Sequence, residues 1–412
     1  MKNLQHFKKT EIGLIPNDWE LKKFSEIFSF LSTGTYSRAQ IHEEGDVGYI
    51  HYGDIHTKLD FKVDTSKYVS GFVSEIEGKP YARIRQGDLI IADASEDVNG
   101  IGKSIEVINQ PANKVISGLH TFLARDIRDT FALGFKGYID SNILVKKQYI
   151  KLASGLKVYS LSKANFDKIW LPIPPLAEQQ KIAQALTDAD NYISALEKLI
   201  EKKRMIKEGL MVRFFKPQLS WQESTLGDIA DIVRGASPRP IESPIWFDDS
   251  SYIGWVRISD LAGQNRYLSN TQQKLSNLGI AHSRFVPKDS LIMSICATLG
   301  KPIVNKINVC IHDGFVVFNN LKINQTFLFY FLKFIEPIWK KQGQTGSQMN
   351  LNTDLIKKTH IHLPPNDVQI EYATILTNLD EEIEILESKH IKACQIKEGM
   401  MQKLLTGEIR LA

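Results

Sequence analysis

Cysteine is scarce in this chain. Its 412 residues include three, Cys296, Cys310 and Cys394, and no two form a C-x-x-C pair. A sparse, odd set speaks against a disulfide framework or a zinc site and for a reducing compartment. Long apolar runs are missing too. The most apolar stretch, Phe327 to Ile335, contains Lys333 and is too short to span a bilayer. The opening residues, MKNLQHFKKTEIG, lack the apolar core of a secretory leader. These absences predict a cytoplasmic protein of bacterial or archaeal type with no membrane role. Charge of one sign is not in large excess either. A formal net charge of +4 neither requires nor excludes nucleic acid, because a small excess can gather on one face.

Motifs of self-contained catalysis are absent as well. Gly102-Lys103-Ser104 looks like the end of a phosphate loop, but the first glycine of GxxxxGK[ST] falls on Asp97. The matching Gly300-Lys301-Pro302 has no hydroxyl, so a hairpin turn is the better reading. Asp93, Glu96 and Asp97 have no matching set later in the chain and read as an exposed acidic loop. His51, His56, His120, His282, His312, His360 and His362 show no metal-ligand spacing such as H-E-x-x-H. No Asn/Asp-Pro-Pro-aromatic run of an adenine methyltransferase occurs; Leu363-Pro364-Pro365-Asn366 has another order and opens a helix. No catalytic residue, metal site or cofactor is expected.

What the chain does have is a duplication. Pro174 to Phe215 recurs as Pro364 to Leu405, 190 residues later, with no gap over 42 positions and 16 identities. Two prolines open each copy, and Ile-Lys-Glu-Gly stands at the same offset, 206–209 and 396–399. A duplication near half the chain length sets the architecture. The composition, 43% hydrophobic and 24% charged, supports two globular cores rather than a disordered or fibrous chain.

The two halves run in parallel. Each opens on a tryptophan, Trp19 or Trp221, and passes into a turn-rich loop, 33–38 or 234–239. Short β-like runs follow. Gly48 to Ile55 matches Gly254 to Leu261, and Gly87 to Ile91 matches Asp289 to Met293. Gln325 to Trp339 reads as a packing helix, with Ile139 to Leu152 as its counterpart. Prolines 172, 174 and 175, and 364 and 365, then mark helix starts.

In the first long helix Ile182, Leu186, Ala189, Ile193, Leu196 and Ile200 follow a 4-3-4-3-4 spacing. Tyr372, Leu376, Leu379, Ile383 and Leu386 repeat it, with His390 next. This is a coiled-coil seam. It weakens where Lys203, Lys207, His390 and Lys397 take seam positions, so those ends face a partner or the globular halves. Neither helix can bury its stripe alone, and an antiparallel pair of the two copies is expected. The fold class is α+β: two globular α/β domains in a tandem pseudo-two-fold repeat, separated by two long α-helices packed as an antiparallel coiled coil. The boundaries are 1–173 and 216–363 for the domains, 174–215 and 364–412 for the helices and tail.

At this point the chain resembles the DNA-specificity (S) subunits of Type I restriction–modification systems. The resemblance spans the whole chain. It rests on the alternation of globular half and long helix, and on Leu-Pro-x-Pro-Pro-Leu-Ala-Glu-Gln-Gln-Lys-Ile at 171–182. It rests also on Thr-Gly-Ser-Gln-Met-Asn-Leu at 345–351 and Leu-Leu-Thr-Gly-Glu-Ile-Arg-Leu at 404–411. Two departures exist. The second helix opens Pro-Pro-Asn-Asp-Val-Gln-Ile, and the first half has Ser154-Gly155-Leu156-Lys157-Val158-Tyr159 where the second has Thr-Gly-Ser-Gln. The resemblance implies a non-catalytic reader of double-stranded DNA, with one target-recognition domain per part of a split, asymmetric site. It implies helices that set the spacer and dock two modification (methyltransferase) subunits, with restriction (motor–nuclease) subunits joining. A separating seam of about 24 residues measures roughly 36 Å, close to one turn of B-DNA, roughly 34–36 Å. The spacer would then have a fixed length and a free sequence.

Base reading needs paired donors and acceptors: Arg or Lys for guanine, Asn or Gln for adenine. The DNA-binding candidates are Tyr36, Arg38 and Lys157 in the first half and Arg234, Arg239, Gln264, Asn265, Arg266, Gln344, Ser347 and Gln348 in the second. The seam candidates are Ile182, Leu186, Ile193, Leu196, Leu376, Leu379, Ile383 and Leu386. Two other classes stay in view. One is a nuclease or methyltransferase acting alone; the other is a coiled-coil interaction protein without a DNA role. Salt-dependent duplex binding separates the last from a DNA reader.

Overall fold

The computed structural model describes residues 6–343 and 351–411. The chain forms two compact units, Met1–Glu197 with Ser388–Ala412, and Lys198–Glu387.

The strands of unit 1 include β1 (Glu20–Lys23), β2 (Phe28–Leu31), β3 (Val47–Ile50), β4 (Lys62–Val63), β5 (Gly71–Val73), β6 (Leu89–Ala92), β7 (Ser104–Val107), β8 (Val115–Ser117), β9 (Thr121–Asp126) and β10 (Trp170–Ile173). They build a five-stranded sheet in the order β2-β9-β6-β7-β4 and a three-stranded sheet in the order β8-β3-β5. In unit 2 the strands are β11 (Gln222–Thr225), β12 (Asp231–Arg234), β13 (Gly254–Val256), β14 (Tyr267–Leu268), β15 (Gln273–Lys274), β16 (Arg284–Val286), β17 (Leu291–Ser294), β18 (Pro302–Asn305), β19 (Val309–Ile311), β20 (Phe315–Asn319) and β21 (His360–Leu363). The five-stranded order recurs as β12-β20-β17-β18-β14, beside a four-stranded sheet, β15-β13-β19-β16. The central strands β6 and β17 are buried along their length and, apart from Ser294, are apolar with no polar alternation.

Each unit closes its ends the same way. The strand after the tryptophan pairs antiparallel with the strand before the long helix, β1 with β10 and β11 with β21. Helix α1 (Ile143–Leu152) and helix α3 (Gln325–Gly343) pack on the cores. The turn from β6 to β7 carries Gly102 at φ +72°, and that from β17 to β18 carries Gly300 at φ +75°. A Cβ at Gly102 would lie 2.6 Å from the Tyr149 ring, and one at Gly300 2.6 Å from the Trp339 ring. The pair Gly102-Lys103 therefore serves a hairpin, because only glycine has both the backbone freedom and the room.

The structure corrects the expected strand Gly48 to Ile55. The run Gly48 to Ile55 is a strand only to Ile50 and then turns into a short helix, Tyr52–Thr57. Its counterpart stops at Val256 and continues as a 3-10 turn, Ile258–Leu261. Local polar side chains cause this. His51 Nδ1 accepts from the Gly53 N–H at 3.0 Å, and Asp260 Oδ2 accepts from the Arg257 N–H at 2.8 Å. Side chains that satisfy backbone donors in this way compete with the sheet ladder.

The long helices are α2 (Leu176–Phe214), 39 residues, and α4 (Asn366–Leu405), 40 residues. Both starts are fastened by a repeated glutamine. Gln179 Nε2 donates to the Pro174 carbonyl and Gln369 Nε2 to the Pro364 carbonyl, each at 2.9 Å. Within each unit the two helices run antiparallel. In unit 1 Asp190 meets Lys397 and Glu197 meets His390. In unit 2 Lys203 meets Glu382 and Lys207 meets Asp380. So the seam ends do not turn away to a partner or the globular halves: their polar positions meet carboxylates of the facing helix, and the seam continues as polar pairs. Tyr138 O–H also donates to Asp190 (2.9 Å), and Tyr330 O–H to Asp380 (2.7 Å). These two clusters occupy identical repeat positions. Such half-buried polar sets fix register more than they stabilise.

A buried carboxyl of unit 1, Asp140, carries a pH consequence. Asp140 accepts from Ser104 Oγ at 3.1 Å. Burial pushes its pKa up to about 6, against the pull of Lys146 and Ser104. An acid with a raised folded pKa stabilises the fold below its unfolded value of about 3.9, and this is lost as pH rises through about 6. Asp140→Asn is therefore expected to gain about 2–3 kcal/mol on the parent between pH 4 and pH 7. Chemical denaturation at both pH values measures this; a pH-independent difference would refute it.

Candidate nucleic-acid interface

In unit 1 the loop after β2 carries Tyr36 and Arg38. The half-buried Tyr36 ring lies edge-on to Tyr49 and Tyr81, with centroids 6.5 and 6.3 Å apart. Tyr49 O–H donates to the Tyr36 carbonyl at 2.8 Å and holds the loop to β3. Arg38 Nη2 donates to Asp54 Oδ1 at 2.5 Å, and the Asp54 side chain is 2% exposed. Burial opposes ionisation of Asp54, but hydrogen bonds from Arg38, Ser70 and Tyr68 outweigh it and hold its carboxyl well below the usual range. Lys157 is exposed in the loop after α1.

In unit 2 the equivalent loop follows β12. Arg234 and Arg239 are exposed and meet on one residue, Asp313. Gln264, Asn265 and Arg266 lie apart, on the connection before β14. Arg266 is 9% exposed. It donates to Thr377 and Thr326 at 2.8 and 2.9 Å, and its guanidinium lies 5.6 Å from the Tyr330 ring centroid. In unit 1 Lys62 takes this part and donates to Thr187, at the repeat position of Thr377. Gln344, Ser347 and Gln348 lie outside the described residues.

The seam residues divide by depth. Ile182 and Leu186 belong to the core of unit 1, and Leu376 to that of unit 2. Leu196 and Ile383 are buried, while Ile193, Leu379 and Leu386 are half-buried. Beside the helices each unit has a cleft. That of unit 2, about 540 Å³, is lined by Lys207, Met211, Asn265, Lys333, Asp380 and Ile383. That of unit 1, about 740 Å³, is lined by Lys397, Met401, Lys62, Asp190 and Ile193. Four of these positions are the same in the repeat. Apolar side chains stay exposed on both helices, including Ile206 at 41% and its repeat mate Ile396 at 53%.

Sequence reasoning missed Ser237, Arg257, His312 and Asp313. A signal was available, since the matched strands β8 and β19 are followed by Gly118-Leu119 in one half and His312-Asp313 in the other. No helix among the described residues is long and apolar enough to cross a membrane.

The molecule is thus a duplicated α+β protein with one polar loop face per unit and long helices shared between the units. It belongs to the family of the Type I restriction modification DNA specificity domain, whose profile matches twice, at residues 16–207 and 218–393. It is 24% identical over 445 residues to the type I restriction enzyme MjaVIII specificity subunit of Methanocaldococcus jannaschii, covering 99% of this chain and 96% of that one. Its fold is similar to that of the S subunit of a Type I restriction–modification system from M. genitalium. That likeness has a TM-score of 0.56 at 14% identity, over 94% of this chain and 96% of that one. A chain solved in work on complex assembly and conformational transition of the type I R-M system gives a TM-score of 0.60 at 12% identity, over 96% and 99%.

Proposed function

We propose that this chain is the DNA-reading subunit of a Type I restriction–modification complex in the cytoplasm. It performs no chemistry. Its two target-recognition domains, 1–173 and 216–363, each address one part of a bipartite, asymmetric site. The helices 174–215 and 364–412 set the spacer and dock two methyltransferase subunits, and motor–nuclease subunits join them. The observation that carries this reading is the family profile occurring twice in one chain. The equivalent clefts at Lys207 and Lys397, with Ile206 and Ile396 exposed nearby, support two copies of one partner. The DNA-contacting set is Tyr36, Arg38, Lys157, Arg234, Arg239, Gln264, Asn265, Gln344, Ser347 and Gln348. Arg266, bonded to Thr377, has a weaker claim.

Co-expression with the neighbouring methyltransferase subunit, followed by mapping of methylated adenines, tests the proposal. One split motif with a fixed spacer is expected. The purified chain with S-adenosylmethionine and DNA should methylate nothing. Methylation without a partner would make the chain an enzyme and overturn the proposal.

A further inference from the structure

The loop face of unit 2 differs from that of unit 1 in how its arginines are held. Asp313 is the organiser. Its Oδ1 accepts from Ser237 Oγ at 2.8 Å, its Oδ2 from Arg239 Nη2 at 3.0 Å, and its carbonyl from Arg234 Nε at 2.7 Å. Its own N–H donates to Ser237 Oγ at 3.2 Å. Burial opposes ionisation of Asp313, but the Ser237 hydrogen bond and the charges of Arg239 and Arg234 outweigh it and lower its pKa. Beside it His312 Nδ1 accepts from the Gly314 N–H at 2.6 Å, so the neutral ring carries its proton on Nε2. Burial, with Arg257 and Arg234 nearby, keeps that ring neutral.

Unit 1 has none of this at the same places. Gly118 and Leu119 stand where His312 and Asp313 do, and Ser32 where Arg234 does in the strand register. Arg38, the counterpart of Arg239, is turned onto the buried Asp54 and the Ser70 carbonyl. Arg239 instead keeps 68% of its side chain exposed while one edge is clamped.

The clamp tells base from backbone. A carboxylate 3.0 Å from the guanidinium repels an approaching phosphate and cancels part of the attraction. The same carboxylate holds one nitrogen of the fork, and a fork held at one edge leaves the other edge for the paired O6 and N7 acceptors of guanine. We infer that Arg239, braced with Arg234 by Asp313, reads a guanine in the half-site addressed by unit 2. Asp313 is the positioning residue and touches no base. This inference rests on the DNA-reading function proposed above.

The test is adenine-methylome mapping of the complex with its methyltransferase, for the parent and for Arg239→Lys, Asp313→Asn and Arg38→Gln. Arg239→Lys keeps the charge but loses the fork. It should relax one guanine position in one half-site, by about 10- to 100-fold in discrimination, and leave the other half-site intact. Asp313→Asn should relax the same position. Arg38→Gln, in the DNA-contacting set of unit 1, should act only on the other half-site. Duplex binding by Arg239→Gln, which removes the charge as well, gives an independent readout: loss of a base contact leaves the salt slope unchanged, whereas loss of a phosphate contact lowers it by about 0.9. A motif unchanged in both variants, or a lowered slope with the motif kept, overturns the inference. So does a parent bipartite motif with no guanine in either half-site, a result that needs no variant to fold. In all three cases the DNA-reading function itself stands. A parent complex that modifies no bipartite site overturns both.

Discussion

Four residues added to each long helix, after Leu199 and after Lys389, are expected to abolish modification of the original site and create a new one. The two points are equivalent in the repeat, and both helices pass there from one unit into the other. Four residues add about 6 Å of rise and about 400° of rotation, so the seam returns almost to phase. With about 3.4 Å per base pair, the recognised spacer should lengthen by one or two base pairs. The half-sites themselves should not change, because no loop residue is touched. On the original spacing one unit would be displaced from its bases. At about 1–3 kcal/mol per lost base contact, a few losses reduce modification by more than about a hundredfold. Methylome mapping reads the outcome directly. Unchanged spacing would remove the helices as the ruler. The insertion placed in one helix only is the control. It should misalign Lys207 from Asp380 or Lys397 from Asp190 and destabilise the pair instead of retuning it.

Arg410→Ala is expected to destabilise unit 1 by about 3 kcal/mol, the low end for breaking a buried ion pair. The tail residue Arg410 grips Glu178 through Nε and Nη2, both at 2.7 Å, and Asp18 at 2.9 and 2.6 Å. The Glu178 side chain is 3% exposed and also accepts from Trp19 Nε1 at 3.0 Å. Without Arg410 a buried carboxylate is left with one neutral donor. The low end of the range applies because Arg410 is 31% exposed and water can reach part of the gap. Gly407 makes the approach possible. It sits at φ +69°, and a Cβ there would lie 2.2 Å from Pro16. The double variant Glu178→Gln with Arg410→Ala should recover much of the loss, since the charge is gone. Thermal unfolding of the three proteins measures the coupling; equal losses in single and double variants would refute it. The pH sign is also set. Arg410 lowers the pKa of Asp18 by hydrogen bonding to it. That contribution is full above the unfolded carboxylate pKa of about 3.9 and fades as pH falls through the lower folded value.

Periodicity revealed the helices because seam spacing and paired prolines are local signals that survive in the sequence. Loop 234–239 was legible as polar and turn-rich, which is why Arg234 and Arg239 could be singled out. Arg266 looked no different in sequence, yet it is turned inward to Thr377, 111 residues on. Lys207 and Lys397 looked like seam failures. They are seam contacts, since Asp380 and Asp190 lie opposite them. Asp313 was invisible as a site residue because its partners, Ser237 and Arg239, lie more than 70 residues away in the chain.

The sequence by itself determined the duplication, the α+β class, the antiparallel helix pairing and the family. These rest on repeated local patterns, and a pattern copied at a spacing of 190 residues needs no third dimension to be read. Only the tertiary structure decided which polar residues are committed inward, which carboxylates meet at each seam lysine, and which arginines share a brace. Those depend on contacts between residues far apart in the chain, where charge and burial act over a few ångströms and sequence distance counts for nothing.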